Sequence, residues 1–252
     1  MTATSERTDD VLDDEDCRPV PYTVLSCSMS MDGYISGPDG GRLALSNSAD
    51  FDRVDSVRAA SDAILVGAQT IRDDNPRLLV RSPARQAERQ ALGLPPHPVK
   101  VTVTSGAELD RDLAFFTTGP DRLVYCPSAA LARTTAQLSG VATVIDAGRQ
   151  VRMSTVSRDL YRRGVRHLLV EGGGQVHTQF LVEDIVDELH LVIAPVFVGD
   201  GRAPRFVGDG AFPWHPACRG RLAAVHQIGD VALLTYAMSD RFNEHHYRWG
   251  TP

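Results

Sequence analysis

His167-Leu168-Leu169-Val170-Glu171-Gly172-Gly173-Gly174-Gln175-Val176 runs from an apolar segment through one carboxylate and three glycines into residues of helical character. An apolar run bounded by glycine reads as a buried strand. Glycines that lead straight into a helix let backbone amides approach a ligand closely, where the helix presents unpaired N–H groups and the positive end of its dipole. Such a strand-to-helix turn suits an anion, and a dinucleotide pyrophosphate is one. The G-x-G-x-x-G fingerprint is incomplete, because His177 stands where its third glycine belongs. A tight packing turn is the alternative. Glu171 falls at the carboxyl end of the strand, the edge at which open α/β sheets bind ligands. A carboxylate there can pair with the amino and ring N–H groups of a heterocycle or cap the next helix.

Outward from this stretch, strand and helix signals alternate. Tyr22 to Cys27 reads as a strand, and Asp32-Gly33 marks a turn between two short β segments. Phe51, Val54, Val57 and Arg58 have helical spacing over Asp50 to Ala60, with Ser48 or Asp50 as the cap. Ala63 to Val66 is a buried strand, and Arg81 to His97 is a surface excursion with room for a helical turn before the strand Val99 to Val103. Strands at Leu123 to Tyr125, Val141 to Ile145 and His167 to Val170 are separated by helices at Ser128 to Leu138 and Thr155 to Arg163. After a helix at Gln175 to Val182, the segments Glu188 to Ala194, Arg221 to Gln227 and Val231 to Met238 are strand-like, and Gly229-Asp230 makes the last two a hairpin. The pattern predicts an α/β fold, with helices on the faces of a mainly parallel, mixed sheet and antiparallel strands at the carboxyl end.

At 252 residues, 42% hydrophobic and 23% charged, the composition is that of an ordinary globular protein. Residues 1 to 18 carry seven acids and little that packs, so 1–19 is expected to be a disordered acidic tail, 20–240 one folded domain, and 241–252 a polar tail. No apolar run reaches the length of a membrane span and no secretory h-region opens the chain, so a cytoplasmic protein with no membrane partner is expected. The net charge of −6 argues against nucleic acid as a partner. Cys17, Cys27, Cys126 and Cys218 lie far apart with no C-x-x-C pair, so neither a metal site nor a disulfide scaffold is expected. Lys100 is the only lysine. Its context, His97-Pro98-Val99-Lys100-Val101, excludes a P-loop and, with His97 three residues before the lysine, a Ser-x-x-Lys nucleophile, and neither G-x-S-x-G nor H-E-x-x-H occurs.

A second stretch, Val66 to Arg81, leaves a buried strand through Gly67 into Thr70, Asp73, Asp74, Asn75, Pro76 and Leu78. Its hydroxyl, acids and arginines can form a second wall, although Asp-Asn-Pro is also an ordinary turn signal. Taken together, Ser30-Met31-Asp32-Gly33, the Thr-x-x-x-Asp-Asn-Pro-x-Leu core of Gly67 to Arg81, Glu171-Gly172-Gly173-Gly174, and Val186-Asp187-Glu188-Leu189 followed by Ile193-Ala194-Pro195 resemble the reductases of riboflavin biosynthesis. The resemblance spans about Tyr22 to Met238.

That resemblance implies a dihydrofolate-reductase-like, three-layer α/β/α fold and a homodimer. It further implies an NADPH-dependent transfer of hydride to the sugar C1′ of a ribosylaminopyrimidine 5′-phosphate, giving the ribitylamino product through a ring-opened imine, with no metal. Gly67, Thr70, Asp74, Ser105, Gly172, Gly173, Gly174, Gln175 and Val176 would then bind the cofactor. Asp32, Arg58, Leu78, Arg81 and Glu171 would meet the substrate, the arginines at its phosphate. Asp74 and Glu171 would be the catalytic pair, with Asp74 handling the proton. The chain departs from the family pattern at Tyr34, where Lys or Arg is common, at Asn75, where a second acid occurs, and at Arg42 and Ala44. These departures leave open a reductase of the same fold acting on a pterin-like or specialised heterocycle. A non-catalytic nucleotide-binding module is a third reading, disfavoured by the joint presence of Asp74, Arg81 and Glu171.

Overall fold

The computed structural model describes residues 19–40, 43–106 and 109–242. The acidic stretch 1–18, Arg42 and the tail beyond 242 lie outside them. The elements are β1 (Tyr22–Ser30), α1 (Ser48–Ala60), β2 (Ala63–Gly67), α2 (Ala68–Asp74), α3 (Pro83–Ala91), β3 (Val99–Val103), α4 (Ala114–Thr117), β4 (Arg122–Cys126), α5 (Leu131–Gln137), β5 (Thr143–Asp146), α6 (Met153–Arg162), β6 (His167–Gly172), α7 (Gly174–Val182), β7 (Glu188–Ala194), β8 (Arg221–Ile228) and β9 (Val231–Ala237). They form a sheet of order β5-β4-β3-β2-β6-β1-β7-β9-β8. Neighbours from β5 to β7 pair in parallel, and β9 runs antiparallel to both β7 and β8. The expected hairpin at Gly229-Asp230 is the β8–β9 turn.

The period-2 alternation of strand side chains feeds two apolar layers. Ala63, Leu65, Val101, Leu168 and Val170 point to one face and pack with Met153, Val156 and Leu160 of α6 and Phe180 of α7. Ile64, Val66, Val124 and Leu169 point to the other, against Val57 of α1, Ile71 of α2 and Phe115 and Phe116 of α4. The sheet is thus sandwiched between helices, as a parallel sheet buried on both faces requires.

Several local expectations are corrected. The cap of α1 is Asn47, whose side chain accepts from the Asp50 amide at 2.9 Å. The buried face of α1 carries Asp50, Asp55 and Val57, while Phe51 is exposed, so of the apolar stripe Val57 faces the core and Phe51 does not. Charge pairing makes this tolerable: Arg53 holds Asp50 at 2.7 Å, and Asp55 accepts from the Ser82 amide at 3.1 Å and from Arg85 at 3.0 Å. The excursion after Arg81 contains a helix, α3, with Ser82 as its cap and Pro83 at its start. The polar run after Gly67 is helical as α2 and ends at Asn75, whose φ of 44° is left-handed. Asparagine tolerates that conformation, and its Oδ1 accepts from the Ala114 amide at 2.6 Å. Beyond the Asp32-Gly33 turn there is no second strand, only an isolated bridge between Tyr34 and Arg205.

The one lysine is a core residue. Lys100 is fully buried on β3, where Nζ donates to the carbonyls of Phe115 at 2.6 Å and Arg77 at 3.1 Å. Burial, with Arg122 nearby, pulls its ammonium down to about 7 from 10.5. Between those values the unfolded chain holds a proton that the native protein has released, so stability rises with pH across that interval. The buried Cys27 thiol, pushed up to about 12, opposes this only above the ordinary thiol range. Urea denaturation of the wild type should therefore show stability increasing from pH 7 to pH 8.5, and Lys100→Met should flatten the slope. Equal slopes in the two proteins would refute this account of Lys100.

Candidate active site

Strands β1 and β6 run side by side as far as the pairs Leu25–Val170, and then part. Beyond that point β1 stays paired with β7, whereas β6 stays with β2, where the register passes from Leu65–Val170 to Val66–Gly172. Glu171 is the extra residue of this bulge. Bulges re-aim side chains, and this one brings Glu171 to the mouth of the gap between the two strands.

Two connected cavities occupy the carboxyl edge at this parting. The smaller, of about 200 Å³, is lined by Ser26, Cys27 and Ser28 of β1, Thr70 and Asp74 of α2, Val54, Ile35, Glu171, Gly172, Gly173 and His177. The larger, of about 1560 Å³, extends past the ends of β2 and β3 to Ser105, Pro127, Arg149 and Gln150, and along α7 from Gly174 to Gln179. Ser28, Ile35, Thr70, Asp74, Glu171 and Gly173 line both.

The wall formed by α7 is suited to an anion. No side chain caps its start at Gly173. Close packing explains the glycines on either side: a Cβ on Gly67 would stand 3.0 Å from Val176 Cγ2, and one on Gly174 would collide with the carbonyl oxygen of Arg205. These contacts hold α7 hard against β2 and against the 203–208 loop, which is further tied by Gly208 N–H donating to Thr178 Oγ1 at 2.8 Å. Glycine amides at an uncapped helix start, opening onto a large cleft, fit a dinucleotide phosphate.

Glu171 is held by Arg58, whose Nε and Nη2 each donate to one carboxylate oxygen at 2.7 Å, while Nη1 donates to the Leu79 carbonyl at 3.3 Å. Burial works against the Arg58 charge, but the adjacent Glu171 carboxylate outweighs it and raises the guanidinium above its ordinary value. The fork expected to grip a phosphate is thus engaged with Glu171.

Of the residues expected from sequence, the structure brings Gly67, Thr70, Asp74, Ser105, Glu171, Gly172, Gly173, Gly174, Gln175 and Val176 to these cavities. Asp32, Arg58, Leu78 and Arg81 are not among the lining residues. Asp32 accepts from Ser30 Oγ at 2.5 Å, from Val198 N–H at 3.1 Å and from Gly199 N–H at 2.8 Å, and these bonds, the Ser30 hydroxyl foremost, lower its carboxyl below the ordinary range. Its place is to pin the loop after β7. Leu78 is 2% exposed and packs in the core below α2. Arg81 lies 5.4 Å over the Phe51 ring and donates to the Phe51 carbonyl at 3.1 Å, at the rim of the cleft.

Sequence reading missed Phe51 and Val54 as cleft residues, because their helical spacing reads as a core stripe. It also missed Arg205, which lines the larger cavity and reaches Tyr34 with a hydrogen bond of 3.0 Å and a ring contact of 4.6 Å. No local signal links positions 171 residues apart. Among the described residues, no group of three or more His, Cys, Asp or Glu side chains is arranged to hold a metal, and no helix is long and apolar enough to cross a membrane.

A family model described as the RibD C-terminal domain matches residues 21–234. A protein of Archaeoglobus fulgidus named 2,5-diamino-6-ribosylamino-4(3H)-pyrimidinone 5′-phosphate reductase is 33% identical over 224 residues, covering 88% of this chain and 99% of that one. One of the same name from Methanothermobacter thermautotrophicus is 31% identical over 186 residues, covering 73% and 82%. Among solved structures, a pyrimidine reductase-like protein from Corynebacterium diphtheriae superposes with a TM-score of 0.74 at 25% identity, covering 86% of this chain and 91% of that one.

Because Arg58 and Glu171 are both mostly buried, removing one partner strands the other's charge. Arg58→Met should lose about 3 kcal/mol in urea denaturation, and Arg58→Met combined with Glu171→Met should recover most of that loss. A double variant no more stable than the single one would show that the pair is not coupled.

Proposed function

The chain belongs to the RibD C-terminal domain family and is a reductase of riboflavin biosynthesis, and on that premise we propose that it uses NADPH to convert a ribosylaminopyrimidine 5′-phosphate to its ribitylamino product. The observation that carries this reading is the pair of connected cavities where β1 and β6 part. One end meets the uncapped start of α7, and the other holds Glu171, Thr70 and Asp74 around a pocket of about 200 Å³.

In this reading the amides of Gly174, Gln175 and Val176 receive the cofactor's phosphates, Thr70 and Gly173 flank its nicotinamide, and Ser105 meets its far half. Bound there, NADPH supplies a hydride to C1′ of the ring-opened sugar. The balance requires one proton, delivered to the amine nitrogen, so that substrate, NADPH and H⁺ give the ribitylamino product and NADP⁺. In this reading Asp74, at the end of α2 and on the wall of both cavities, delivers that proton. Glu171, held flat by Arg58, presents its carboxylate to the amino and ring N–H groups of the pyrimidine. Arg58 then acts as a positioning residue, and Arg81 at the rim takes the substrate phosphate. The protein's contribution is position and charge, and the cofactor carries the difficult chemistry.

Purified protein with NADPH should turn over either the diamino pyrimidine phosphate or its deaminated form, read as loss of the reduced-nicotinamide absorbance with the product identified by mass. Asp74→Asn should lower kcat at least about 100-fold and leave NADPH affinity within about twofold. NADPH binding with no turnover of either pyrimidine would favour a reductase of another heterocycle. No binding of NADPH would overturn the reading altogether.

A further inference from the structure

The smaller cavity contains a polar group that the proposed chemistry leaves unused. His177, on the opening turn of α7, is 1% exposed, and its Nδ1 lies 3.2 Å from the carbonyl oxygen of Phe206. A carbonyl can only accept, so Nδ1 carries the proton and Nε2 presents a lone pair. Nε2 has no hydrogen-bond partner and is buried. The Cε1–Nε2 edge of the ring faces Gly172, where a Cβ would stand 3.6 Å from both atoms, and the ring lines the cavity with Cys27, Glu171 and Gly173. The Cys27 thiol is no donor to it, since it turns to the Ser28 carbonyl at 3.6 Å. Burial pulls the imidazole down to about 4, so the lone pair persists at neutral pH.

A buried acceptor with no partner is rare in native proteins and calls for an explanation at the site it faces. This one sits beside a space of about 200 Å³, several times the roughly 30 Å³ share of a water molecule and suited to one planar ring. Phe206 fixes the ring's tautomer from behind, much as outer partners fix a metal-binding histidine. Gly172 covers Nε2, so a ligand N–H satisfies it where the Gly172 backbone gives way to admit that donor. A ketone or ether oxygen at the same place would set one lone pair against another.

Resting on the NADPH-reductase reading above, we propose that His177 reads the ring seated in this cavity, its Nε2 accepting a hydrogen bond from an amino N–H borne by that ring. Two groups in the reaction offer that chemistry, the carboxamide of the nicotinamide and the exocyclic amino group of the pyrimidine. His177 is then a specificity-determining residue, and its occupation of the third-glycine position of the fingerprint serves recognition.

The test compares His177→Asn, which keeps a donor for Phe206 but falls short of the Nε2 position, with His177→Gln, which restores an acceptor near that position. Each is assayed with NADPH and with its 3-acetylpyridine analogue, which has a methyl ketone in place of the amide, against the diamino ribosylaminopyrimidine phosphate. The wild type should prefer NADPH, His177→Asn should lose about tenfold of that preference, and His177→Gln should regain part of it. If instead the preference is kept and KM for the pyrimidine rises about tenfold in His177→Asn alone, the donor is the pyrimidine's amino group. Thermal unfolding and circular dichroism confirm that each variant is folded, and His177→Leu, which also lacks the acceptor, carries the comparison if the Asn variant is not. A folded variant lacking the acceptor that matches wild type in both measurements overturns the proposal. Failure of the wild type to bind NADPH overturns the reading beneath it.

Discussion

The site depends on one irregularity in backbone pairing. A parallel sheet opens at its carboxyl edge only where a strand gives up one neighbour while both stay paired elsewhere, and here β1 and β6 do so after Leu25 and Val170. Each keeps its other neighbour, β1 pairing with β7 through Ala194 and β6 with β2 through Gly172, so the strands stay in the sheet while the backbone groups on their facing edges open onto the gap. The bulge that shifts β6 against β2 also turns Glu171 out of the strand's alternation. The same irregularity supplies the gap and the carboxylate that stands in it.

A carboxylate at such a place is costly unless paired, and the partner comes from the helix across the gap. Arg58 closes a two-bond fork on Glu171 and fastens a third donor to Leu79, so α1, β6 and the segment after α2 are joined at one point. Glu171 is thereby fixed in orientation, the property needed to recognise a flat array of N–H groups. Asp32 shows the contrast. It has similar chemistry and an equally prominent motif, but its oxygens are spent on Ser30 and on the 198–199 backbone, and it secures a loop.

The glycine turn after β6 was legible because its signal is local: strand, glycines and helix start follow one another in the chain. The same holds for β7, whose bounds Glu188 and Ala194 are those the sequence implies, and for the β8–β9 hairpin. What sequence could not convey is pairing between distant segments. The bulge at Glu171 exists only relative to β2, the Arg58–Glu171 fork spans 113 positions, and Arg205 meets Tyr34 across 171. The α1 stripe misleads for a related reason. Hydrophobic spacing predicts which face is buried only when charges stay outside, and here Asp50 and Asp55 are buried with arginine partners, which frees Phe51 and Val54 for the cleft.

The preference for arginine over lysine has a structural counterpart at the opposite edge of the sheet. Arg89 donates to the carbonyls of Ala59, Ser61 and Pro95, Arg122 to those of Phe115, Thr118 and Gly119, and Arg241 to those of Val20 and Pro21 and to Asp187. These carbonyls lie in the segments that lead into β1, β2, β3 and β4. Asp62 completes the set by accepting from the Arg166 and His167 amides as β6 begins. A planar guanidinium with five donors can hold several carbonyls at once, where an ammonium acts more as a point charge. The amino edge is therefore sewn together by charged groups acting on backbone, and the carboxyl edge is free to part at β1 and β6. Stability and binding are placed at opposite ends of the same strands, so the loops around the cleft can vary in sequence without loosening the sheet that positions Glu171 and Asp74.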